Sequence, residues 1–241
     1  MRQRCNLRQM PENRKLIRVM RTALQAVADP KKAPFMQAYM KSAMPYLGIQ
    51  AGLFRKTAKT VLRAHPVGSF EDWRDSALAL WRGAKYREER YAAIELAGYK
   101  AYGEFRTLDA LPIYEEMISS GAWWDYVDSI ASHRIGELLR RHPRQMRAIL
   151  RKWAVSDDIW IRRSAILSQL GFKQDTDLQL LYECIDPSLE RPEFFLRKAI
   201  GWALRQHAWT DPDEVRRYVK ANEARLSNLS KREALKNIAR R

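Results

Sequence analysis

A carboxylate set among cations, with an indole ring about one helical turn away, is a combination able to stabilise positive charge at a reacting centre. Trp124 stands four residues before Asp128, and Trp202 stands four residues after Lys198. At 3.6 residues per turn, four residues fall about 40° past a full turn, so each tryptophan shares a helix face with its charged partner. Asp128 to Arg163 is 35 residues, and Arg163 to Lys198 is 35 again. In stacked helical hairpins, residues one period apart line up along one surface, so Asp128, Arg163 and Lys198 are expected as neighbours in a row. A carboxylate in a basic groove repels phosphate, and keeping one there points to a substrate that brings positive charge of its own. Two plainer readings compete. An acid beside Arg and Lys is commonly an ion pair contributing little, and tryptophan in a helical repeat is commonly core, which is how Trp81, Trp123, Trp153 and Trp160 are read.

The elements that must hold these residues are helices. Apolar residues recur at helical spacing along nearly the whole chain, and the breaks fall at Pro, Gly or Asp/Ser clusters. The pattern predicts helices over 13–28, 34–43, 51–64, 69–82, 87–102, 108–119, 122–140, 144–154, 157–170, 175–184, 192–206, 212–222 and 230–240, with no strand. Ser69 and Asp72, like Ser230 and Glu233, have the spacing of a capping box, and Asp211-Pro212 supplies an N-cap followed by proline at the first helical position. WWDYVDSI (123–130), IWIRRSAI (159–166) and FFLRKAIGW (194–202) align as repeats, each opening on a bulky pair and reaching a small apolar run one turn later. RYAAIELAGY (90–99) lies about one period upstream. The class is all-α, and the repeat implies an α-solenoid in which each unit buries its apolar face against its neighbours.

Charge names the kind of partner. Lys and Arg number 44 against 28 Asp and Glu among 241 residues, a net charge of +16. A field of that sign favours a polyanion, nucleic acid first and an anionic membrane surface second. No run of about 18 apolar residues exists, and MRQRCNLRQMPENRK lacks the apolar segment of a signal peptide. Residues 1–12 read as a loosely ordered basic arm ahead of a single repeat domain over 13–241. Cys5 and Cys184 form no CxxC pair, which suits a reducing, intracellular setting, and His65, His133, His142 and His207 lack metal spacing and read as loop and cap residues. Nothing matches a P-loop, a dinucleotide fingerprint, a GxSxG elbow or HExxH.

Five blocks together resemble the AlkD family, bacterial DNA alkylation repair glycosylases built from HEAT-like helical repeats. They are YMKSAMPYLGIQ, GAWWDYVDSI, SDDIWIRRSAIL, FFLRKAIGWALRQ and LSKREALKNI, and the similarity runs from about residue 16 to the C-terminus. The resemblance implies a right-handed α-solenoid of HEAT-like two-helix repeats with a concave basic DNA-binding surface. Carried over residue by residue, it places Asp128 on the family's catalytic aspartate and Trp124 and Trp202 on the two tryptophans flanking the lesion nucleotide. Arg163 falls on a DNA-contacting arginine and Arg205 on another basic backbone contact, while Tyr39 and Gln50 fall on residues close to the same cleft. Gly171 stands where a further basic residue is expected, and Lys173 is the candidate to cover that phosphate contact.

The same resemblance implies a chemistry. Alkylation at N3 or N7 makes a purine cationic and a good leaving group, so the bond from C1′ to nitrogen breaks with positive charge developing on the sugar. Asp128 would stabilise that charge and orient water, as carboxylates do in sugar transfer. The tryptophans would offer electron-rich faces to the cationic nucleotide. Such enzymes engage the duplex without flipping the damaged base into a tight pocket. Lys198 is read as a phosphate contact rather than a Schiff-base nucleophile. RIGELLRRHPRQMRAILRKW (134–153) reads equally as a phosphate track or a solvated face, whereas Lys231 and Arg232 in LSKREALKNIARR are DNA-binding candidates near a helix N-terminus. The reading expects a monomer on double-stranded DNA carrying alkylated purines, located in the cytoplasm and nucleoid-associated when bound, with no cofactor, metal or membrane. Against it stand a non-catalytic HEAT-repeat protein binding branched or distorted DNA, and an ordinary protein-interaction scaffold that leaves the charge unexplained.

Overall fold

The computed structural model describes residues 13–238, so the expected basic arm at 1–12 lies outside the described residues. Every regular element among them is helical. α1 (Arg14–Ala26), α2 (Ala33–Met40), α3 (Ala51–Ala64), α4 (Phe70–Arg82), α5 (Arg87–Gly98), α6 (Leu111–Gly121) and α7 (Trp124–Ser129) are followed by α8 (Gly136–Arg141) and α9 (Pro143–Ala154). Then come α10 (Ile159–Leu167), α11 (Leu178–Ile185), α12 (Phe194–His207), α13 (Pro212–Ala221) and α14 (Asn228–Leu235). Local chemistry sets the ends. Ser69 accepts from the Asp72 N–H at the head of α4, and Asp211 accepts from the Glu214 N–H ahead of α13.

Three local expectations are corrected. Ser227 rather than Ser230 caps α14, because the Ser230 hydroxyl is drawn to the Arg197 carbonyl on α12 at 3.0 Å. The helix expected over 87–102 stops at Gly98, where Tyr99 turns to an extended conformation, and a 3-10 segment Lys100–Phe105 follows. His65 and His142 cap helices as expected, but His133 and His207 lie inside helical segments.

The chain divides into two compact units between Ile113 and Tyr114. In the first, α1 packs on α3 and α4, and α4 on α5. The buried Glu88 carboxylate, at the start of α5, accepts from the N–H groups of Leu47, Gly48 and Ile49 at 2.9, 2.9 and 3.1 Å. Those bonds hold the extended link that ends at Gln50, the N-cap of α3. Gly48 is required in that link: its φ is +84°, and a Cβ there would lie 2.1 Å from the Asp29 carbonyl oxygen.

In the second unit the helix starts repeat. α7, α10 and α12 begin at Trp124, Ile159 and Phe194, the same 35-residue step that separates Asp128 from Arg163. α7 packs on α10, α10 on α12 and α12 on α14, while α9 packs on both α10 and α11. Equivalent positions of the three aligned segments therefore stand side by side. The core between them holds Leu167, Leu181, Ile185, Leu196 and Leu204, and burying each such side chain contributes about 1.5–3 kcal/mol. α12 and α14 approach most closely at Gly201, where a Cβ would meet the Glu233 Cβ at 2.5 Å and the Ser230 carbonyl oxygen at 2.9 Å.

Candidate active site

The site begins with α7. Trp123 takes an extended conformation at the N-cap, and the helix opens at Trp124, so Trp124 and Asp128 project from one face. After Ser129 the helix widens into a π-helical segment, Ile130–Ile135, and returns to α geometry as α8. Such widened turns recur at functional sites because they re-aim the side chains beside them. Here the Ser132 hydroxyl donates to the Asp128 carbonyl at 2.6 Å and ties down the turn that carries the carboxylate.

Asp128 is held by Arg163 on α10. Arg163 Nε donates to Asp128 Oδ1 at 2.7 Å and Nη2 to Oδ2 at 2.8 Å, a planar fork on both oxygens. Arg163 Nη1 donates to the Phe195 carbonyl on α12. The side chains are 13% exposed for Asp128 and 5% for Arg163, so this is a largely desolvated pair. Burial pushes the Asp128 carboxyl above its ordinary pKa, the Arg163 hydrogen bonds and charge oppose that rise, and the Asp125 carboxylate adds to it. The expected row is therefore real for Asp128 and Arg163. Arg163, expected as a DNA contact, has its guanidinium against Asp128 and the Phe195 carbonyl at the wall of the cleft, where it holds the carboxylate.

An open cleft of about 270 Å³ lies over this pair. Trp124, Asp128 and Arg163 line it from α7 and α10, and Phe194, Phe195, Lys198, Trp202 and Arg205 line it from α12. Lys198 Nζ meets Glu233 at 3.0 Å, and Arg205 donates to the same carboxylate. The Lys198 hydrogen bond, followed by the two cationic charges, holds the Glu233 carboxyl below its usual pKa despite burial. Beneath the cleft, Phe195 packs on Trp160 at 4.9 Å between ring centroids and edge-on against Trp123 at 5.5 Å. Trp81, Trp153 and Trp160 are core as expected, but Trp123 is only half-buried.

Other expected residues are not among those that line this cleft. Lys173 is exposed at a left-handed φ of 55° after Gly171 and lines a different hollow with Gln169 and His207. On α14, Lys231 Nζ donates to the Glu223 carbonyl and Arg232 is exposed. Tyr39, 79% exposed on α2, and the exposed Gln50 belong to the first unit. Phe194, Phe195 and Glu233 were missed as site residues. The bulky pair opening FFLRKAIGW signalled the first two, and Glu233 lies one further 35-residue step beyond Lys198. Among the described residues no cluster of three or more His, Cys, Asp or Glu is placed to hold a metal ion, and no helix is long and apolar enough to cross a membrane. Burial pushes the Cys184 thiol up to about 12, which leaves it unreactive at neutral pH.

Comparison with known proteins agrees with this fold. No curated protein sequence matches the chain. Among solved structures it is similar to a predicted DNA alkylation repair enzyme from Enterococcus faecalis, with 30% identity and a TM-score of 0.78 over 89% of this chain and 98% of that one. The fold is shared with AlkD2 from Streptococcus mutans, at 19% identity and a TM-score of 0.60 over 78% of this chain and 91% of that one. It is shared as well with smu.31 from Streptococcus mutans UA159, at 18% identity and a TM-score of 0.58 over 75% and 90%. Residues 20–238, which include every residue lining the cleft, match the model of the family described as DNA alkylation repair enzyme, and the chain belongs to that family.

Proposed function

We propose that the protein is a monofunctional DNA glycosylase that hydrolyses the N-glycosidic bond of cationic alkylated purines, 3-methyladenine and 7-methylguanine, in duplex DNA. The observation that carries this reading is a buried, arginine-fixed carboxylate, Asp128, sharing one open cleft with Trp124 and Trp202. When the bond from C1′ to the purine nitrogen breaks, its electron pair leaves with the base. The base departs neutral, and the positive charge passes to the sugar. Asp128 stabilises that charge and orients the water that attacks C1′, with the released proton going to solvent. Arg163 does not consume the carboxylate, because an ionised carboxyl offers about four acceptor positions and the fork uses two. A leaving group that already carries its charge needs no second acid, and Asp128 is the one carboxylate among the described residues that line the cleft.

Trp124 and Trp202 favour the cationic nucleotide by cation–π attraction, and the openness of the cleft suits a lesion read within the duplex rather than in a closed pocket. Lys198 and Arg205 take backbone phosphates beside the lesion, and Lys173, Lys231, Arg232, Tyr39 and Gln50 are further DNA contacts. Trp124→Ala and Trp202→Ala should each slow base release by about 2- to 30-fold, the equivalent of about 0.5–2 kcal/mol, while phenylalanine at either position should restore most of the rate. The decisive experiment measures free base released from duplexes carrying one 7-methylguanine or one 3-methyladenine. Release from neither, together with duplex binding that weakens steeply between about 50 and 200 mM salt, would leave a binder of distorted DNA in place of an enzyme.

A further inference from the structure

Two cations that line the cleft share one carboxylate that does not. Glu233, on α14, accepts from both Lys198 and Arg205, and its side chain is 12% exposed against 37% and 23% for theirs. Lys198 and Arg205 are seven residues apart on α12, two turns along one face, and the positions between them that could reach both, Gly201 and Trp202, carry no acceptor, so it comes from another helix. α14 supplies it because Gly201 lies between them. With no side chain there, the Glu233 Cβ can approach to where a Cβ of residue 201 would be 2.5 Å away, and the Ser230 hydroxyl, bonded to the Arg197 carbonyl, fixes the register of the two helices.

The electrostatic consequence is specific. An ammonium has three donors and a guanidinium five, so Lys198 and Arg205 keep donors for a phosphate after Glu233 has taken its share. The net charge of the cluster is nevertheless +1 rather than +2. We infer that Glu233 is a resident counter-anion: it holds Lys198 and Arg205 facing the cleft and lowers their attraction for undamaged backbone, making it a specificity-determining residue of the site. The inference rests on the DNA-binding reading above. A cleft with less general attraction for phosphate leaves a larger share of its binding to the contact between a cationic lesion and the Asp128, Trp124 and Trp202 set.

The test uses the full chain with Glu233→Gln, which keeps size and removes charge, and measures affinity for an undamaged duplex between about 50 and 200 mM salt, alongside Tm. One more uncompensated cation should steepen the slope of log K against log salt by about one and tighten binding at the low-salt end on the order of tenfold. Undamaged duplex should then inhibit base release more strongly, and Glu233→Asp should restore the wild-type slope. A merely structural Glu233 predicts the opposite sign: disordered cations, weaker binding and an unchanged or shallower slope. If Glu233→Gln does not fold, the neutral pair Lys198→Gln/Glu233→Gln carries the test, because its cluster has the wild-type net charge. It should show the wild-type slope, whereas a Glu233 with no influence on DNA predicts a slope shallower by about one. A wild type without salt-sensitive duplex binding takes down both readings; a binding wild type with an unchanged slope in Glu233→Gln overturns this inference alone.

Discussion

Asp128→Asn should slow release of 7-methylguanine from a duplex by at least about 100-fold under single-turnover conditions, while affinity for the same duplex stays equal or becomes tighter. Asparagine preserves the shape of the side chain and still offers Arg163 one acceptor oxygen, so the cleft should keep its form. On the proposed mechanism it loses the full negative charge that faces the developing cation on the sugar, and a preorganised charge of that kind is commonly worth about 10²–10³ in rate. Removing an anion from a cleft that meets phosphate can only favour association. The separation of the two effects is the diagnostic feature. If the variant released base as fast as wild type, Asp128 would be a structural partner of Arg163 and the chemistry would belong elsewhere. If rate and affinity fell together, the residue would be shaping the binding surface instead.

Much of this arrangement was legible in the sequence, and the parts that were not share a cause. Helical periodicity located the elements because each helix buries a continuous apolar stripe, and the 35-residue step located the row because helix starts at Trp124, Ile159 and Phe194 repeat with it. Asp128 and Arg163 could thus be foreseen as neighbours. What spacing could not say was which way a neighbour is satisfied. Arg163 reads as an arginine available to phosphate until the Phe195 carbonyl and the Asp128 carboxylate are seen to enclose it. Ser230 reads as a cap until α12 is seen to take its hydroxyl. Glu233 was in register all along, yet its role needs the approach of α14 that Gly201 permits. Each of these depends on what a second helix brings, and a linear pattern carries that only as a period or a small residue.

The second large effect concerns Arg163. Arg163→Met keeps most of the side-chain volume but leaves Asp128 largely buried without its fork, and breaking such a pair from one side costs about 3–5 kcal/mol. For a chain of this size that is a fall in Tm on the order of 6–20 °C at neutral pH. The loss should depend on pH with a definite sign. Burial already raises the Asp128 pKa against the opposition of Arg163, so removing the arginine raises it further. A carboxyl whose folded pKa lies above its unfolded value favours folding only while protonated, and that contribution is lost as pH rises through the folded pKa. The gap in Tm between wild type and variant should therefore widen from pH 5 to pH 8. On the proposed mechanism base release needs the ionised carboxylate, so the acidic limb of the rate profile, corrected for spontaneous depurination, should move to higher pH in the variant. Adding Asp128→Asn to Arg163→Met should recover much of the lost stability, since the orphaned charge is then gone, while leaving the rate near that of Asp128→Asn alone. A Tm difference that stayed flat with pH would mean that Asp128 escapes to solvent once released, and that Arg163 anchors α12 through the Phe195 carbonyl rather than tuning the carboxylate.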